Sequence, residues 1–135
     1  MNVELDQAWI AARIPHQGSM CLLDAVTEWS ADHIVCRALS HTDPANPLRA
    51  AGRLGAANGI EYAAQAMAVH GALVAGADAA PRQGYLTSVR SVTLHAERLD
   101  GLNGPLRVRA ERVSGDVNNV LYGFTVHHGE RCLLE

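Results

Sequence analysis

One stretch constrains this chain more than any other. From Ala56 to Ala77 it reads AANGIEYAAQAMAVHGALVAGA, and only Asn58, Glu61, Gln65 and His70 are strongly polar. Alanine has the highest helix propensity, so the run predicts a helix. A helix apolar nearly all round belongs inside a protein rather than on its surface. A membrane span is the competing reading at this length. Glu61, Gln65 and His70 would each need a partner in lipid, however, and no aromatic belt flanks the segment, so no span is expected. Asn58 is the expected N-cap, with Glu61 three residues later reaching back as in a capping box.

The flanking sequence says what covers this helix. Residues 4–13 carry Leu5, Ala8, Trp9 and Ala12 at helical spacing, and Pro15 then ends a short amphipathic helix. Residues 20–29 and 33–40 are β-branch-containing apolar runs joined by Ser30-Ala31-Asp32, which predicts a hairpin. Residues 41–55 hold two prolines and two glycines with no period, a connection long enough to be functional. After Pro81 the period becomes two, and residues 84–96, 104–113 and 120–128 read as strands. Apolar and charged residues alternate from Leu106 to Glu111, the mark of an antiparallel sheet with one buried face. Residues 131–135 begin a further apolar run, expected to be an incomplete last strand. The sum is an α+β arrangement, a curved antiparallel sheet around one apolar helix, in a single domain spanning residues 1–135. Five or six strands wrap only part of such a helix, so a homodimer is expected.

Composition removes several chemistries. All 11 basic residues are arginine, which excludes a lysine Schiff base, a lysine general base and a phosphate-binding P-loop. A net charge of -3 with no concentration of arginines argues against nucleic acid or anionic lipid as partner. The three cysteines, Cys21, Cys36 and Cys132, lack CxxC spacing, which points to reduced thiols and a cytoplasmic protein. Residues 1–9 have no basic leader followed by an apolar core, so no signal peptide is expected. His127 and His128 alternate faces on a strand and cannot both chelate one ion, so no metal site is expected.

Two segments resemble the hot-dog fold dehydratases of the FabA/FabZ type, which act on 3-hydroxyacyl chains carried on acyl carrier protein. Ile14-Pro15-His16-Gln17-Gly18-Ser19-Met20-Cys21-Leu22-Leu23-Asp24 is similar to the family's opening before its first long strand. Gly59-Ile60-Glu61-Tyr62-Ala63-Ala64-Gln65-Ala66-Met67-Ala68 is similar to its central helix, whose Glu is the catalytic acid. The run from Ile60 to Leu73 with His70 looks closer still to the predicted dehydratases of aryl polyene pigment clusters. The resemblance implies a hot-dog fold, a lyase needing no diffusible cofactor, and an acyl carrier protein with its phosphopantetheine-linked acyl chain as partner. It also leaves open a hetero-oligomer with a related dehydratase. Where the family's His-Phe-Pro-Gly motif carries its catalytic histidine, the corresponding spacing before Glu61 falls on Pro47.

Dehydration of a 3-hydroxyacyl thioester needs a base at C2, an acid for the C3 hydroxyl, and donors for the thioester carbonyl. Glu61 is the candidate acid, because burial raises a carboxyl pKa while a helix N-terminus lowers it. His16, between Pro15 and Gly18 in an exposed turn, is the nearest substitute base, and His41 is the other candidate. His70 lies about 2.5 turns beyond Glu61 on the helix and faces the opposite way, so core or interface is its expected place. Amides around Ala57, Asn58 and Gly59 are expected to be free at the helix start and to bind the thioester oxygen, with Gly59 admitting substrate and Gln65 beside it. Arg49 and Arg53 are placed either toward a phosphopantetheine phosphate or in solvent. Two rival functions use the same fold: a non-catalytic partner of a sister dehydratase, and an acyl thioesterase.

Overall fold

Period-two alternation in the second half of the chain becomes the floor of the protein. A computed structural model describes residues 5–14, 18–75, 91–115 and 120–135. Among the described residues, six antiparallel strands follow one another in chain order across a single sheet: β1 (Leu5–Asp6), β2 (Ala25–Trp29), β3 (His33–Ala38), β4 (Leu106–Gly115), β5 (Val120–His128) and β6 (Arg131–Leu134). On β3 and β4, Ile34, Cys36, Ala38, Leu106, Val108 and Ala110 are buried, while Arg107 and Glu111 between them are exposed. The register Ile34↔Ala110, Cys36↔Val108, Ala38↔Leu106 stacks these buried residues into one apolar face.

That face receives the central helix α2 (Gly59–Ala75), which packs across β3, β4 and β5. Tyr62, Ala63, Ala66 and Val69 point into the core against Val26, Ile34, Val108 and Val126. The small alanines let helix and sheet approach closely. The opposite stripe of α2, Ile60, Ala64, Met67 and Ala68, is only half-buried. No helix among the described residues is long and apolar enough to cross a membrane.

The local departures from expectation have identifiable causes. Asp6 accepts a hydrogen bond from Trp9 N at 2.9 Å and caps α1 (Gln7–Ala11), so the helix expected over residues 4–13 shortens and its start becomes strand β1. The strand expected from Met20 begins only at Ala25, after a 3-10 turn at Gly18–Met20. Of the strand expected over 84–96, residues 84–90 lie outside the described residues. Its end pairs with β6: Thr93 and Glu135 exchange two backbone bonds of 2.9 and 3.1 Å, and His95 N donates to Leu133 O at 2.8 Å. All three cysteines are free thiols, and burial pushes the Cys36 thiol up to about 12.

Candidate active site

Glu61 is half-buried in the first turn of α2, and Gln65 lies one turn later on the same face, fully buried. Gln65 Nε2 donates to Glu61 Oε1 at 3.4 Å and to Met20 O at 2.7 Å, while its Oε1 accepts from Leu22 N at 2.9 Å. One amide therefore links the carboxylate to the backbone of Met20 and Leu22. A residue one helical turn away is the natural bracket for such a side chain. Gly18 opens this segment with φ +59°, a left-handed conformation that favours glycine. His16 itself, with Pro15 and Gln17, lies outside the described residues.

A second polar network holds the long loop onto the neighbouring residue of the helix. The buried Tyr62 hydroxyl lies 2.8 Å from Ser40 Oγ and accepts from Asn46 Nδ2 at 3.0 Å. Ser40 Oγ is also 2.7 Å from Leu22 O, to which it donates, so Leu22 is held from both sides, by Gln65 at its N–H and Ser40 at its carbonyl. Burial raises the Tyr62 pKa, with the bonds to Ser40 and Asn46 opposing, so the phenol stays protonated at neutral pH. Beside this network a cleft of about 410 Å³ opens, lined by Gly18, Cys21, Asp24, Ser40, Asn46 and Pro47 among others. Pro47, at the spacing where the resemblance expected a histidine, is one of the lining residues. Glu61 does not line this cleft.

Two of the three expected amide donors are spent within the chain. A 3-10 turn at Ala56–Asn58 precedes α2, and its bonds consume them: Asn58 N donates to Gly55 O at 3.0 Å, and Gly59 N to the carbonyls of Ala56 and Ala57. Asn58 spends its side-chain Nδ2 on Gly55 O at 3.1 Å, so the capping box drawn from the sequence gives way to a tightened entry turn. The missing side chain of Gly59 also has a packing reason. A Cβ there would stand 2.6 Å from Leu134 Cδ2, so β6 and the helix meet at this point.

His41 and His70 are set in the core by partners of their own. His41 is fully buried; its Nε2 donates to Leu102 O at 2.9 Å, and its Nδ1 makes no hydrogen bond among the described residues. Burial lowers its pKa, the Leu102 carbonyl opposing, so the ring is neutral. His70 is a core residue: its two ring nitrogens lie 2.7 Å from the Tyr122 hydroxyl and 2.8 Å from Ser30 O, and burial lowers its pKa too. With Nε2–H donating to Ser30 O, Nδ1 is left to accept from Tyr122, so no lone pair remains for catalysis. Arg49 braces the loop, donating to His41 O at 2.9 Å and Gly52 O at 3.2 Å, while Arg53 is exposed. The sequence reading missed Ser40 and Asn46; a short polar pair flanking a proline-rich loop carries no spacing signal.

The chain is similar to a solved structure described as "The Dehydratase Heterocomplex ApeI:P from Xenorhabdus doucetiae", with a TM-score of 0.77 and 21% identity over 93% of this chain and 84% of that one. The fold is therefore the hot-dog fold, as the resemblance implied. No curated protein is significantly similar to the sequence. Residues 8–135 match the ApeP-like family, described as ApeP dehydratase, and with nearly the whole length covered the chain belongs to that dehydratase family.

Proposed function

We propose that this dehydratase eliminates water from a 3-hydroxyacyl thioester borne on acyl carrier protein, in the building of a fatty acid or polyene pigment. His16 takes the C2 proton, the C2–H electron pair becomes the C2=C3 double bond, and the C3–O bond breaks. Glu61 gives its proton to the departing hydroxyl, which leaves as water. Proton exchange with solvent then restores the neutral imidazole and the carboxylic acid. The observation that carries this reading is the Glu61–Gln65–Met20 bridge, which sets the carboxylate beside the segment that follows His16 in the chain. Asn58, Gly59 and Gln65 serve substrate by shaping the start of α2 and bracing Glu61, since their own polar groups are engaged. No diffusible cofactor is needed for this chemistry. We place the protein in the cytoplasm, where its cysteines stay thiols.

A specific observation favours a second reading, a non-catalytic subunit that shapes a shared acyl tunnel with a related dehydratase. Pro47 stands at the spacing where the family carries its histidine, and both ring nitrogens of His70 are engaged in the core. In either case a second copy or a sister subunit covers the half-buried apolar stripe Ile60, Ala64, Met67 and Ala68. The test is a purified-protein assay with a 3-hydroxyacyl thioester on acyl carrier protein. The first reading expects 2-enoyl ultraviolet absorbance from the chain alone, lost in Glu61→Gln and in His16→Ala. Absorbance only after a partner dehydratase is added supports the second, and free thiol release without enoyl product would establish a thioesterase instead.

A further inference from the structure

The sheet edge carries a cluster that the dehydration chemistry does not use. His95, Cys132 and Glu135 each point one potential ligand atom to a common spot, the three atoms lying within 4.8 Å of one another. Glu135 Oε2 is 3.1 Å from His95 Nε2 and 3.6 Å from Cys132 Sγ. A tetrahedral ion with bonds of about 2.0–2.1 Å to nitrogen and oxygen and about 2.3 Å to sulfur spaces its ligands by roughly 3.3–3.6 Å. The two edges that meet at Glu135, 3.1 and 3.6 Å, bracket that figure, and the third, between His95 and Cys132, is at most 4.8 Å.

The backbone holds the cluster in place. His95 lies on the segment that pairs with β6, and the Thr93–Glu135 and His95–Leu133 backbone bonds set the two strands in register. Cys132 and Glu135 come from β6 and the residue after it. Arg131 Nη2 donates to His95 O at 3.3 Å, a further tie at the first ligand. Across the strand pair Cys132 faces His127, whose buried Nδ1 makes no hydrogen bond among the described residues. Imidazole, thiolate and carboxylate together suit a borderline-soft divalent ion of the zinc class, and not calcium or magnesium.

We propose that His95, Cys132 and Glu135 form a transition-metal site for a zinc-class divalent cation, with the fourth position open to water. Binding replaces the Cys132 thiol proton, which is released to solvent, with a metal–sulfur bond, so affinity rises with pH. The site lies on either side of Leu134, which packs against Gly59 two residues before Glu61. A bound ion therefore clips the His95 segment to β6 on the strand that carries this contact.

Zinc titration of the reduced protein by calorimetry tests this, with cobalt absorbance as a second probe. The wild type is expected to bind one ion per chain, to show a thiolate-to-cobalt charge-transfer band, and to gain thermal stability with zinc. Cys132→Ser removes the band, although Cys21 and Cys36 remain. His95→Ala and Glu135→Gln each weaken zinc at least about tenfold, since even residues that only orient ligands are worth that much. Failure of the wild type to bind zinc, or binding that survives His95→Ala and Glu135→Gln unchanged, overturns the proposal.

Discussion

Leu134 occupies the space that a side chain on Gly59 would fill: Cδ2, Cδ1 and Cγ stand 2.6, 3.1 and 3.4 Å from the Cβ position. Gly59 has φ -60°, which any residue adopts, so its requirement comes from this approach and not from backbone freedom. Leu134 is fully buried and cannot swing into solvent. Gly59→Ala is therefore expected to cost about 1–3 kcal/mol, the usual penalty for overpacking a closed core. Urea denaturation of Gly59→Ala, Leu134→Ala and the double variant checks it. The double variant should lose less than the sum of the two singles, because the second truncation makes the room that the first lacks.

The long loop contains a turn that its own sequence resists. Ala50 and Arg53 exchange backbone bonds of 2.9 and 3.0 Å around Ala51 and Gly52, whose φ values are 53° and 74°. Left-handed backbone at both central positions is the type I′ geometry, and alanine pays about 1–2 kcal/mol to enter it. Ala51→Gly relieves that strain but adds freedom to the unfolded chain. The net expectation is a gain of about 0.5–1 kcal/mol, read as a raised denaturation midpoint with an unchanged slope.

The parts of the fold that were legible in the sequence are those in which burial writes a period. α2 and the alternation of β4 follow from which side chains meet the core, and β5 runs from Val120 to His128 as its residues predict. The apolar character of residues 20–24 predicts strand, yet side chains satisfy this backbone: Gln65 takes Leu22 N and Met20 O, and Ser40 takes Leu22 O. Bonds that reach 18 to 45 residues along the chain leave no local pattern. The same holds for the candidate site. Glu61 and Gln65 were visible as polar residues on an apolar helix, whereas the 3-10 turn that consumes the Asn58 and Gly59 amides was not.

Acid should unfold this protein earlier than its carboxylates alone would dictate. His41 and His70 are fully buried, and burial is the main cause that lowers both pKa values below the ordinary 6.5. The unfolded chain then binds protons that the folded one refuses. Stability is full above about pH 6.5 and falls as pH drops below it, by up to about 1.4 kcal/mol per pH unit for each ring. Denaturation midpoints between pH 5 and 8 check this. His70→Leu should be less stable at every pH, with a shallower decline below pH 6.5. An undiminished slope would show that His70 does not contribute.

Gln65→Leu separates the bracket from the acid it holds. The substitution keeps the side-chain volume close but leaves Leu22 N and Met20 O without their partner and removes the donor at 3.4 Å from Glu61 Oε1. Orphaning buried backbone groups costs about 1–3 kcal/mol of stability. The functional expectation is larger, because a carboxylate released from its rotamer and a loosened 18–22 segment both degrade geometry, and a misplacement of about 1 Å is worth roughly a hundredfold in rate. Turnover of a 3-hydroxyacyl thioester should therefore fall about a hundredfold with KM little changed, at a temperature where circular dichroism shows the variant folded. If turnover instead tracks the folded fraction alone, Gln65 is a stabilising residue without influence on the Glu61 carboxylate.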